Sequence, residues 1–187
     1  MSKLYALYDF ELNKKNRKTV KEFVKICYDN GVEVIQYRDK INSHDSKKKI
    51  LLELRSLWDR VLIVNDDIEL ALFCDGVHLG QDDFSMIAPT KSEALQILRQ
   101  KLKQKIIGLS THNKEEILEA NSLDIDYIGL GAYRDTTTKK DIQGILGSDI
   151  EVLSKLSCKD VAIIGGVRVD DKIDFATYRV VGSDMYR

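Results

Sequence analysis

The sequence predicts an α/β chain of the (β/α)8 TIM-barrel class, and three observations carry that expectation. Eight short apolar or β-branched runs recur along the chain. Helical periodicity fills several of the gaps between them, and polar or glycine-rich groups follow seven of the runs. Strands and helices that alternate in one chain require parallel strands joined by right-handed crossovers, as an open doubly wound sheet or as a closed barrel. Eight strands favour the barrel.

The first run is LYALYD from Leu4. Val20, Phe23, Val24 and Cys27 then recur at i, i+3, i+4 and i+7, the apolar stripe of a helix, and Gly31 stands where that helix should end. VEVIQY from Val32 is the second strand. Ile50, Leu51, Leu54, Leu57 and Trp58 share one face of the next helix, before VLIV from Val61 and GVHL from Gly76. KIIGL from Lys105 precedes Asn113 and Glu116, which have the spacing of a capping box at a helix start. DYIGL from Asp126, DVAII from Asp160 and YRVV from Tyr178 complete the eight. The chain ends at Arg187, directly after the last run, so the expected barrel lacks its final C-terminal helix.

A length of 187 residues suits one domain over 1–187. The only proline is Pro89, and no Ser-, Gly- or Pro-rich stretch marks a linker. Lys and Arg number 29 against 30 Asp and Glu, a net charge of -1, with no basic tract to follow a nucleic-acid backbone. No segment approaches the roughly 20 apolar residues of a spanning helix, and MSKLYALYDF lacks a secretory apolar stretch, so the expected location is the cytoplasm. Cys27, Cys74 and Cys158 fit neither a disulfide framework nor a CxxC motif and read as reduced packing residues.

Barrel chemistry sits at the C-terminal ends of the strands. There the sequence places Gln36-Tyr37-Arg38-Asp39-Lys40, Asn65-Asp66-Asp67, His78 to Asp83, Ser110-Thr111-His112, Gly131 with Thr136 to Lys140, Gly165-Gly166 and Gly182-Ser183-Asp184. Each group alone has a bland reading. Asp66 or Asp83 would cap the next helix, and Arg38 and Lys40 would be surface charges or pair with Asp39 or Asp45. His78 and His112 would be structural, and the paired glycines a tight turn. Together they describe a site. Glycine turns after strands seven and eight suit a phosphate held by backbone N–H groups. Arg38, Lys40 and Lys139 suit a second, more charged anion, and Asp66 and Asp83 suit Mg2+, which takes one or two carboxylates plus substrate phosphates. The expected enzyme acts on two phosphorylated small molecules with Mg2+ and no redox cofactor.

QYRDK (36–40), VNDDIELAL (64–72), DGVHLGQDD (75–83), GLSTH (108–112), DYIGLGAY with TTTKKD (126–141) and IIGGV (163–167) together resemble the thiamin phosphate synthase family. The resemblance runs in order along the chain and extends to a relative, the thiazole tautomerase. It implies a barrel that joins hydroxymethylpyrimidine diphosphate to a thiazole phosphate, releasing diphosphate by a dissociative, Mg2+-assisted route. By motif it places Asp66 and Asp83 on the metal, and Arg38, Lys40, Asn65, Ser110 and Lys139 around the diphosphate. Gln36 and His78 fall near the pyrimidine, and Thr136, Thr138, Gly166, Gly182 and Ser183 at the thiazole phosphate.

Three departures from the family pattern stand out. The loop after strand six reads Gly131-Ala132-Tyr133-Arg134-Asp135-Thr136, without the family's two prolines and with a charged pair. Asp184 adds a carboxylate beside the last phosphate turn. The missing final helix should leave apolar surface bare at the seam between the first and last strands, so a homodimer is expected there. Two other readings stay open: a thiazole tautomerase, which has no use for a metal–diphosphate clamp, and a barrel that binds a thiazole or thiamin phosphate without turnover.

Overall fold

A computed structural model describes residues 1–135 and 144–187. Eight parallel strands close into a barrel in sequence order: β1 (Lys3–Asp9), β2 (Val34–Arg38), β3 (Val61–Asn65), β4 (Gly76–Leu79), β5 (Ile106–Thr111), β6 (Tyr127–Leu130), β7 (Asp160–Ile163) and β8 (Tyr178–Val181). The register closes with Lys3 of β1 opposite Tyr178 of β8 and Ala6 opposite Val181. All eight expected strands form, because both faces of each are covered and the runs need only be short and apolar.

Period two divides the core. Tyr5 and Leu7 point into the barrel with Val34, Ile63, Tyr127, Ala162 and Val180. Leu4, Ala6 and Tyr8 point outward and pack under the helices with Phe23, Leu51, Leu54, Leu98 and Ile117. The barrel interior leaves no spare volume at Gly108, where an added Cβ would stand 2.2 Å from the Tyr127 ring. Gly108→Ala is therefore expected to lower stability by about 3 kcal/mol, at the upper end for overpacking, read from a denaturant-unfolding midpoint. An unchanged midpoint would mean that the Tyr127 ring is free to move.

The helices are α1 (Phe10–Lys15), α2 (Val20–Asp29), α3 (His44–Leu57), α4 (Lys91–Leu102), α5 (Lys114–Asn121) and α6 (Asp149–Ser154). Thr19 and Glu22 form a reciprocal capping box for α2, and Gly31 beyond its end takes φ +68°. At α5 the expected box is only half made. Asn113 Oδ1 accepts the Glu116 N–H at 2.9 Å, but the Glu116 carboxylate turns to the N–H and Nδ1 of His112. These bonds hold His112 at the start of α5, where it also lines the cavity described below.

Four features differ from the expected pattern. Helix α1 was not foreseen; Asp9 starts it by accepting the Leu12 N–H at 3.0 Å. Between β3 and β4 there is only a 3-10 turn, Leu70–Phe73, opened by Asp67 Oδ1 on the Leu70 N–H. Residues 164–177 contain no helix, and buried Val167 and Ile173 cover that side instead. Cys158 is exposed, so only Cys27 and Cys74 are packing residues.

The seam also differs. The chain has no helix after β8 but a 3-10 turn, Ser183–Tyr186, whose Met185 is buried and whose Tyr186 ring lies 5.5 Å from Phe23 of α2. Leu4, Ala6, Tyr8 and Val181 are all buried, so among the described residues this stretch of the seam is covered within the chain itself. Among the described residues no helix is long and apolar enough to cross a membrane.

Candidate active site

The C-terminal ends of all eight strands open into one cavity of about 720 Å3, within the range of small-molecule sites. Its wall includes Gln36, Arg38, Lys40, Asn65, Asp66, His78, Asp83, Ser110, Gly166, Gly182 and Ser183, so the predicted residues among those described converge. Thr136, Thr138 and Lys139 lie outside the described residues. Helix α1 adds an element that sequence reasoning missed: Asp9, Glu11, Leu12 and Lys15 line the same opening.

One side of the rim is ionic. Arg38, at the end of β2, pairs with Asp9 at the end of β1, 2.5 Å apart and largely buried. Lys40 pairs with Asp66 across the β2–β3 gap. Neither cation pairs with Asp39 or Asp45 as the bland reading had it. Asp39 is instead spent on the Tyr37 hydroxyl and on Asn42, which stiffens the turn carrying Lys40. Asp66 takes φ +60°, a left-handed conformation that aspartate tolerates better than most residues, and its N–H donates to the His78 carbonyl at 2.9 Å.

Asp83 stands beside Asp66, with one oxygen accepting the Gly80 N–H at 2.6 Å. Burial, together with the neighbouring Asp66 charge, raises the Asp83 carboxyl above its ordinary pKa even though the Gly80 N–H lowers it. Two carboxylates pressed together in a half-buried rim, with cations within reach, form an all-oxygen donor pair whose repulsion a divalent cation would relieve. The pair fits a hard cation that takes its remaining ligands from water and phosphate. Neither Asp66 nor Asp83 caps an α-helix.

The floor of the cavity is polar where the pattern reads as core. Gln36 Nε2 donates to the Tyr5 hydroxyl at 2.9 Å, and Tyr5 meets the Tyr127 hydroxyl at 3.0 Å. Tyr127 meets His78 Nδ1 at 2.9 Å, and His78 Nε2 meets Ser110 Oγ at 3.0 Å. Gln81 Nε2 fixes the Ser110 carbonyl at 2.6 Å. Burial raises the Tyr5 and Tyr127 phenols, so both keep their protons near neutral pH. His78 therefore lines the cavity as a member of this hydrogen-bonded chain.

The opposite side is uncharged backbone. Gly165 and Gly166 take φ +94° and +64°, and a Cβ on Gly166 would lie 2.7 Å from both Arg134 Cβ and the Asp135 carbonyl. Only glycine lets this turn approach the neighbouring loop so closely. Arg134 does not pair with Asp135: its Nη1 reaches Asp171 at 2.7 Å and the Gly166 carbonyl at 3.3 Å, and its guanidinium lies 4.3 Å over Tyr133. Although burial raises it, Arg134 and the Arg168 N–H hold the Asp171 carboxyl below its usual range. The departure at 132–135 thus builds a clip from the sixth loop onto the glycine turn. Asp184 accepts the Val169 N–H and pairs with Arg187, so its charge is turned from the cavity.

Comparisons with known proteins agree with this geometry. A family model described as thiamine monophosphate synthase matches residues 4–182. The chain is 37% identical over 172 residues to the thiamine-phosphate synthase of Lawsonia intracellularis, covering 88% of this chain and 74% of the relative. It is 34% identical to that of Persephonella marina, covering 95% and 93%. Among solved structures, thiamine phosphate pyrophosphorylase from Pyrococcus furiosus superposes with a TM-score of 0.75 over 97% of this chain and 85% of that one; at 24% identity this supports the fold alone. With the profile match spanning nearly its whole length, the chain belongs to the thiamine monophosphate synthase family.

Proposed function

We propose that the chain is a thiamin phosphate synthase that couples hydroxymethylpyrimidine diphosphate to a thiazole phosphate, giving thiamin phosphate and diphosphate. The observation that carries this reading is the division of one cavity into an ionic rim, with Arg38, Lys40, Asp66 and Asp83, and an opposed glycine turn at 165–166. The first suits a diphosphate and the second a monophosphate, each charge met by a different means. A tautomerase has no use for the first half. Residues 1–187 act as one catalytic domain, and its proposed location is the cytoplasm, a reading that the free Cys27, Cys74 and Cys158 support. The homodimer expected at the β1–β8 seam stays part of the proposal, and light scattering that shows only monomer would overturn it.

In this reading the bond between the pyrimidine methylene carbon and the diphosphate oxygen breaks first, its electron pair leaving on the diphosphate. The thiazole nitrogen lone pair then captures the pyrimidinylmethyl cation, forming the C–N bond. Little covalent help is needed, only charge neutralisation on the leaving group and exclusion of water. Arg38 and Lys40 hold the departing oxygens, with Asn65, Ser110 and Lys139 assigned to the same group. Gln36 and His78 orient the pyrimidine ring, and Thr136, Thr138, Gly166, Gly182 and Ser183 hold the thiazole phosphate. Mg2+, held by Asp66 and Asp83, would supply further neutralisation of the diphosphate charge.

Calorimetric titration with the pyrimidine diphosphate, with and without Mg2+, tests this reading. Mg2+-dependent binding is expected; equal binding in its absence would favour the tautomerase or the non-catalytic barrel. Gly166→Ala is expected to raise the KM for thiazole phosphate about tenfold while sparing that for the pyrimidine diphosphate, since the added methyl displaces the turn from the sixth loop. Equal effects on both substrates would place Gly166 outside the monophosphate half.

A further inference from the structure

The buried polar chain across the barrel floor can run in two directions, and they leave Ser110 in opposite states. We propose that Tyr5 and Tyr127 are positioning residues that fix the direction from Gln36 to Ser110, leaving the Ser110 hydroxyl hydrogen for an oxygen of the bound diphosphate ester. The identity of that oxygen rests on the synthase reading above; the direction of the chain does not.

The direction follows from counting hydrogens. Gln36 Nε2 has only hydrogens to offer, so the Tyr5 oxygen accepts there. The hydroxyl is buried and among the described residues its one other partner is Tyr127, 3.0 Å away, so its single hydrogen goes to Tyr127 rather than staying unmet. Tyr127, having accepted, gives its own hydrogen to His78 Nδ1. The imidazole then carries its hydrogen on Nε2 and donates to Ser110 Oγ at 3.0 Å. Ser110, already an acceptor, cannot point back at His78, and its hydrogen is left for the cavity it lines. The links come from β2, β1, β6, β4 and β5, so the chain spans five strands with Tyr5 and Tyr127 lying 122 positions apart in sequence.

The reverse direction would turn the Gln36 amide over and spend the Ser110 hydrogen on His78 Nε2. Ser110 would then show lone pairs to a cavity where Arg38 and Lys40 gather anionic oxygen, a repulsive arrangement. The forward direction supplies a donor aimed at the charge that grows on the leaving group, the place where a donor counts most. Four of the five members are at most 9% exposed, so bulk water cannot readily scramble the chain.

Two measurements on the full chain test this. Nitrogen NMR of protein carrying 15N-labelled histidine rings, without substrate and with the His78 signal assigned from His78→Gln, should show His78 with its hydrogen on Nε2. A hydrogen on Nδ1 overturns the proposal, whatever the enzyme catalyses. In steady-state kinetics, Tyr127→Phe should lower kcat about tenfold with little change in KM, because a misaligned donor is lost mainly at the transition state. The same change on a Ser110→Ala background should cause no further loss; additive losses would mean that Tyr127 acts by another route and would overturn the proposal. Absence of turnover in the unaltered enzyme would sink the synthase reading, while the resonance would still decide the direction.

Discussion

Asp83→Asn is expected to reduce thiamin phosphate formation at least about a hundredfold while leaving the melting temperature within a few degrees, because it removes an anionic ligand without removing volume. Asparagine keeps an oxygen for the Gly80 N–H that Asp83 now binds at 2.6 Å, so the 3-10 turn behind it should stand. It also removes the repulsion with Asp66, and the folded protein is expected to gain slightly in stability as the rate falls. Asp66→Asn should behave alike, and asparagine is the apt replacement because position 66 sits at φ +60°. Alanine there would mix backbone strain into the result. Initial rates at saturating Mg2+, beside thermal unfolding, check both. Turnover at the unaltered rate in either variant would remove that residue from the metal assignment.

Arg38→Ala is expected to have the second largest effect, and on two quantities at once. The guanidinium holds the diphosphate in the proposed reaction, so kcat/KM should fall about a hundredfold. It also neutralises Asp9, whose side chain is 6% exposed, so removing it strands a buried carboxylate and should cost about 3 kcal/mol of stability. A second change separates the two. Asp9→Asn in the Arg38→Ala background removes the stranded charge yet keeps a side chain able to cap α1 through the Leu12 N–H. Most of the stability should return and none of the activity. Recovery of both together would mean that Arg38 serves the fold alone.

Much of this was legible along the chain. Strands in a barrel covered on both faces need only short apolar runs, so all eight could be read directly, and the polar residues that follow them could be placed at one end once the strands were parallel. What escaped was non-local or too short to show a period. Helix α1 has six residues, under two turns, and exists because Asp9 caps it while pairing with Arg38, 29 positions away. Asp9 closes an apolar strand and so read as its end, not as part of a site. Tyr5 and Tyr127 sit on the inward face and satisfy the strand pattern as aromatics; only their hydroxyl partners reveal that the floor is polar. At the seam, Met185 is buried from a single 3-10 turn, Ser183–Tyr186, which is too short to show a period. Arg134 looked like a charge beside a phosphate site, and its partner Asp171 lies 37 positions on, beyond any local pattern.

The central claim is that one cavity joins a diphosphate half to a monophosphate half. The most direct test incubates the purified chain with hydroxymethylpyrimidine diphosphate, thiazole phosphate and Mg2+, and follows thiamin phosphate and released diphosphate by chromatography with and without a chelator. Equal amounts of both products, abolished by the chelator, are predicted. A folded protein that binds either substrate yet forms no thiamin phosphate would contradict the account.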